Sequence, residues 1–194
     1  MSRDHALLEV LWHCGLRVGE ARALDVSDFD ESEQSLAVRH RPEGGTSLKN
    51  GGGGERLVAL NARVYDVLAD YLKQNRTNVT VEGRDPLFST PKGRCGTTTL
   101  RNAVYRLTQP CLTGSCPLGR DPEQCEQQGR SSCPETLSPH DVRRGAITHY
   151  LSNDVPEKVV GDRMDVSPDV LEKHYDQRSE DKKMEQRRQY LDAV

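Results

Sequence analysis

At 194 residues and 21.7 kDa the chain has the size of one domain, or one domain with a small insert, and is long enough to bury a core. No run of 18 apolar residues exists to span a bilayer, and Met1 to His5 lacks the apolar stretch of a secretory signal, so a cytoplasmic protein is expected. A net charge of −3, from 27 basic and 30 acidic residues, does not mark a nucleic-acid binder, and six cysteines are too few for a disulfide scaffold.

The charge is unevenly spread. Residues 1–35 carry three basic and eight acidic side chains, whereas 84–110 carry Arg84, Lys92, Arg94, Arg101 and Arg106 against Asp85 alone. Such a stretch reads either as a footprint for phosphates or as ordinary surface charge.

Leu7, Leu8, Leu11 and Cys14 recur at helical spacing, so residues 4–14 read as an amphipathic helix stopped by Gly15. A short helix follows over Gly19–Leu24. Residues 35–41 alternate and read as a strand, as do 56–60. Between them Lys49, Asn50 and the run Gly51–Gly54 read as a flexible turn. Val64, Val67, Leu68, Tyr71 and Leu72 line one face of the next helix, and Pro86–Ser89 reads as a short strand. Thr97–Thr99 can cap a helix carrying Leu100, Ala103, Val104 and Leu107. Residues 110–139, rich in proline, glycine and cysteine, read as an irregular insert. Helices are expected near 139–151 and 155–161, another opening at Pro168, and a charged one over Ser179–Leu191 with Met184 and Leu191 on one side. The expected fold is mainly α with a small antiparallel β-sheet (α+β).

Three segments could carry chemistry. Arg17 follows a glycine turn and precedes a helix, where its guanidinium can join free helix N–H groups in holding a phosphate. The alternative is a surface arginine paired with Glu20 three residues on. His140 and Arg143 share one face of a helix opened by Ser138-Pro139, so one could move a proton while the other holds an anion. Tyr175 follows a short helix and is either a nucleophile or a packed ring with its hydroxyl hydrogen-bonded.

Taken in order, Gly15-Leu16-Arg17 with Glu20, Lys49-Asn50-Gly51 in a hairpin, His140-Asp141-Val142-Arg143 and Tyr175 about thirty residues later resemble the tyrosine recombinase (phage integrase) family, over nearly the whole chain. The Cys-rich insert points the resemblance toward an archaeal, haloarchaeal branch. The resemblance implies a single catalytic domain over 1–194, with the insert at 110–139 and without the family's N-terminal helical, core-binding domain. It implies a site-specific DNA recombinase or integrase that cleaves and rejoins double-stranded DNA through a 3′-phosphotyrosyl link, as a homo-oligomer (dimer or tetramer) on DNA. Arg17 and Arg143 match the catalytic arginines, Glu20 the acidic companion of the first, Lys49 the hairpin lysine, His140 the histidine and Tyr175 the nucleophile. The sixth position, His or Trp in the family, falls on Asp165 by spacing or Asp162 by the preceding glycine. Neither matches, and His174 beside the tyrosine is a candidate to compensate. Arg94, Arg101 and Arg106 of the basic stretch and Arg144 beside the site are the expected DNA contacts. No cofactor is needed for catalysis.

Cys111, Cys116, Cys125 and Cys133 fall within 23 residues, enough for a structural tetrahedral zinc site, although no Cys-x-x-Cys knuckle is present. Free thiols in a surface loop are the alternative, and Cys14 and Cys95 read as structural. Two other functions stay open from the sequence: a non-catalytic DNA-binding regulator that keeps the recombinase fold, and a nicking-closing enzyme resembling type IB topoisomerases.

Overall fold

A computed structural model describes residues 1–121, 123, 125, 129, 133–175, 179–188, 190 and 191. In chain order its elements are helices α1 (Arg3–His13) and α2 (Val18–Ala23), strands β1 (Phe29–Asp30), β2 (Ser35–Val38) and β3 (Arg56–Ala59), and helix α3 (Ala62–Gln74). A two-stranded hairpin follows, β4 (Ser89–Thr90) with β5 (Gly93–Arg94). Helices α4 (Thr97–Leu107), α5 (Pro139–Ser152), α6 (Glu157–Met164), α7 (Pro168–His174) and α8 (Glu180–Arg188) complete the described elements. The expected class, mainly helical with a small antiparallel sheet, holds.

Helix α1 is the hub. The Ser2 hydroxyl caps it by accepting from the His5 N–H at 3.2 Å. Ala6, Leu7, Val10 and Leu11 are fully buried, and α1 packs on α3, α4 and α5. Burying each such leucine contributes about 1.5–3 kcal/mol. Helix α3 starts at Asn61, whose side chain accepts from the Val64 N–H at 2.9 Å, and presents Val64, Val67, Leu68 and Tyr71 to the same core. The Tyr71 hydroxyl, deep inside, donates to the Leu87 carbonyl at 3.1 Å, which satisfies it.

The sheet runs β1-β2-β3, all antiparallel, with Leu36 opposite both Phe29 and Val58. Those three enter the main core, while Leu57, one residue out of phase, is 75% exposed. A second cluster of Ala146, Ile147, Leu151, Val160, Met164 and Leu171 packs beneath Tyr175, and Trp12 of α1 touches both clusters.

Local differences from expectation have local causes. Strand β2 ends at Val38 rather than 41: its ladder with β3 stops there, and Arg41 bridges to Thr46 while its side chain bonds Asp28 at 2.9 and 2.5 Å. Residues 86–88 are not a continuous strand: Pro86 forms an isolated bridge with Asp25, Leu87 donates to the Leu24 carbonyl at 2.9 Å, and the β4–β5 ladder begins at Ser89. Helix α6 begins after Pro156 and runs through Gly161 to Met164, three residues beyond the expected end. The two-residue β1 gave no periodic signal.

Candidate active site

Helix α1 stops at Gly15, which adopts φ +60°. A Cβ there would lie 2.5 Å from the Met164 Sδ, so glycine is needed both for the turn and for the approach of α6. The turn aims the Gly15 carbonyl at Arg143 and places Arg17 at the start of α2. Glu20, one turn on and almost fully buried, accepts from the Arg17 N–H at 2.8 Å and from its Nη1 at 2.8 Å. Glu20 also takes Nη2 of Arg56 at 3.0 Å. Arg56 in turn donates to the carbonyls of Arg163 at 2.8 Å and Gly54 at 2.9 Å, tying β3 to α6 and to the glycine run. Sequence reasoning missed Arg56; its one signal is a cation opening an apolar strand.

Helix α5 carries His140 and Arg143. Its start is a reciprocal cap: the Ser138 hydroxyl accepts from the Asp141 N–H at 3.2 Å, and the Asp141 carboxylate accepts from the Ser138 N–H at 2.9 Å. Pro139 sits in the first turn, where its missing N–H costs nothing. Arg143 faces inward and is 3% exposed. It donates to the carbonyls of Gly15, Met164 (2.5 Å) and Asp165 (3.3 Å). Burial, with the positive charge of Arg17, lowers its pKa to about 10, which leaves it cationic at neutral pH. His140 is exposed one turn earlier on the same side.

Asp165 caps α6 in the left-handed region, φ 51°. Its carboxylate pairs with Arg17 Nη1 and accepts from Asn50 Nδ2 at 2.9 and 3.0 Å. Its carbonyl accepts from Arg17 Nη2 at 2.8 Å. Asp162, the other candidate, is exposed and pairs with Lys158 at 3.2 Å. Tyr175 ends α7, its N–H bonded to the Leu171 carbonyl at 2.9 Å, and its buried ring lies within electrostatic reach of Arg143. The side chain of His174 lies outside what the structure describes.

One cavity of about 300 Å³ is lined by Arg17, Lys49, His140, Arg143, Asp165 and Tyr175 together, with Asn50 beside them. Lys49 reaches it from the exposed turn before the glycine run. A neighbouring cavity of about 520 Å³ lies on the other side of Asp165, bounded by Gly54, Arg56 and Ser167.

The expected DNA contacts divide. Arg94 is not available: it pairs with the buried Asp25 at 2.5 Å and donates to the carbonyls of Arg22 and Leu24. Arg106 pairs with Asp4, and Arg84 joins Arg94 on Asp25 at 2.7 Å. A buried carboxylate must be paired, and these arginines meet that need. Arg101 and Arg144 are exposed. The six cysteines are free, with Cys111 and Cys116 half-exposed and hydrogen-bonded to each other. Among the described residues no group of three or more His, Cys, Asp or Glu side chains is arranged to hold a metal, so the expected zinc site finds no support. No helix among them is long and apolar enough to cross a membrane.

Two guanidiniums fixed on one small polar cavity make an anion site, and a tyrosine at its edge suits that site to phosphoryl transfer. The chain belongs to the Phage integrase family, which matches residues 1–180. It is 30% identical over 159 residues to tyrosine recombinase XerD of Ralstonia nicotianae, covering 81% of this chain and 42% of that protein. XerD of Mycobacterium tuberculosis is 26% identical over 158 residues with the same coverage. The chain thus spans less than half the length of these relatives. Among solved structures, the XerA recombinase superposes with a TM-score of 0.62 at 20% identity, over 97% of this chain and 56% of that one. The Tn1549 transposon integrase, in complex with circular intermediate DNA, gives 0.64 at 21%, over 95% and 58%. Both share the fold.

Proposed function

We propose that this chain is the cleaving and rejoining part of a site-specific tyrosine recombinase acting on double-stranded DNA. The observation that carries the reading is the single cavity holding Arg17, Lys49, His140, Arg143 and Tyr175, drawn from four separate parts of the chain. Arg17 and Arg143 hold the non-bridging oxygens of the scissile phosphate and stabilise the charge that grows on them. Tyr175 Oη bonds to phosphorus as the bond to the 5′ oxygen breaks, and the leaving oxygen takes its proton from Lys49. His140 receives the tyrosine proton or orients the phosphate. Rejoining is the reverse, because the phosphotyrosine keeps the bond energy, so the scheme requires neither nucleotide nor metal. The glycine run suits a lysine turn that reorders on DNA.

Arg101 and Arg144, both exposed, would meet the DNA backbone. The working form is a homo-oligomer, dimer or tetramer, on DNA; the exposed Met184 of α8 and Leu191 beyond it supply apolar surface for contact between copies. A nicked suicide substrate carrying the element's attachment site tests the reaction. A covalent adduct that forms with the wild type and vanishes in Tyr175→Phe is expected. DNA bound without an adduct would sink the strand-transfer reading and favour a DNA-binding regulator.

A further inference from the structure

Asp165 occupies the place where the reaction needs an anion from outside. Its carboxylate Oδ2 takes Arg17 Nη1, a donor that a phosphate oxygen would otherwise take, while Nη2 bonds the Asp165 main-chain carbonyl. Nη1, whose other bond goes to Glu20 at 2.8 Å, cannot serve both, and two anions in one partly buried cavity repel. The same carboxylate also takes both bonds from Asn50, the neighbour of Lys49. One side chain therefore ties the phosphate-binding arginine to the turn that carries the proton donor. The carboxylate sits close against Gly54, where a Cβ would stand 3.3 Å from Oδ2. Beside it is the second cavity, with Arg56 in its wall.

From this arrangement we infer that Asp165 is a positioning residue that acts as an internal phosphate surrogate. With no DNA bound, its carboxylate holds Arg17 in place and latches the Lys49 turn through Asn50. An incoming phosphate displaces it toward the Arg56 cavity, Asn50 is released, and the Lys49 turn becomes free to move onto the leaving oxygen. Proton donation is thereby coupled to phosphate binding, so the turn is not committed on an empty site. This inference rests on reading the cavity as the scissile-phosphate site.

The probe is inorganic phosphate, titrated calorimetrically into the whole chain. Asp165→Asn keeps the shape and suits the left-handed backbone while removing the charge. It is expected to tighten phosphate binding at least tenfold. Asp165→Gly fits the same backbone and is expected to do likewise, which keeps the test open if the Asn variant folds poorly. Adding Arg17→Ala to Asp165→Asn abolishes the gain. Phosphate affinity unchanged or weakened in both single variants overturns the surrogate and leaves Asp165 a strut. Limited trypsin cleavage after Lys49 reads the latch: it is expected to quicken with saturating phosphate in the wild type, and without phosphate in Asp165→Asn. A rate indifferent to both overturns the coupling. Neither readout involves Tyr175 or DNA, so an absent adduct and an absent phosphate effect point to different failures.

Discussion

Arg143 shows how much of the site rests on backbone oxygens rather than on other charges. It fixes three carbonyls, from the α1 stop, the end of α6 and its αL cap, while its charge faces the cavity. A lysine has one ammonium and cannot span those acceptors. Arg143→Lys is therefore expected to lower the rate of adduct formation on the suicide substrate by roughly 10²–10³-fold, in the range for losing one oxyanion donor. Gly15 carries the companion constraint. Gly15→Ala meets both a positive φ and the Met164 side chain, and is expected to cost about 1–3 kcal/mol in denaturant unfolding. An unchanged midpoint would show that the turn can relax. His140, Arg143 and Arg17 were all legible as residues, since short motifs advertise them. Arg56 was not, and Asn50, quoted beside Lys49, gave no sign of its bond to Asp165, because these partners are set by how elements pack.

At the level of elements, α5 illustrates a helix whose start is written locally. Ser138, Pro139 and Asp141 are the residues a helix start requires, and each is used in that role. Ser138→Ala is expected to cost about 1 kcal/mol. The hydrogen bonds from the Ser138 side chain and backbone hold the Asp141 carboxyl below its ordinary range. A carboxyl lowered in the folded state stabilises above its unfolded pKa, and the contribution is lost as pH falls through the folded value. Thermal unfolding of the wild type should thus show an acid-labile component below about pH 4 that is smaller in Ser138→Ala. Identical acid slopes in the two proteins would remove Asp141 from the account. Strands were harder to read than helices. The paired strands are shorter than the segments 35–41 and 86–89 suggested, because pairing needs a neighbour that the segment does not contain.

For the whole molecule, the charge pattern had two readings, a phosphate footprint or ordinary surface charge, and most of the stretch follows neither. Most of the arginines in 84–110 pair with acids of the N-terminal third, Arg84 and Arg94 with the buried Asp25 and Arg106 with Asp4. Arg94→Ala removes one partner of a buried carboxylate and is expected to cost about 2–4 kcal/mol, somewhat less than a full orphan because Arg84 and Arg41 remain near Asp25. Arg101→Ala, on an exposed position, should stay within about 0.5 kcal/mol of wild type. Instead it should weaken duplex binding alike for all sequences and reduce the salt slope by about 1. Equal stabilities for the two variants would mean the buried pair contributes little.

The sequence by itself determined the helices, the small sheet, the family and the order of the motifs that carry the resemblance, because periodicity, caps and short spacings are local and survive without a fold. Tertiary structure decided which cations stay exposed and which pair with buried acids, and it placed Asp165 against Arg17 across 148 residues. Those outcomes depend on pairing buried charges between distant segments. Burial and partner are set together only when distant elements meet, α1 with α4 for Asp4 and Arg106 and the start of α2 with the end of α6 for Arg17 and Asp165, so residue type and spacing carry no record of them in advance.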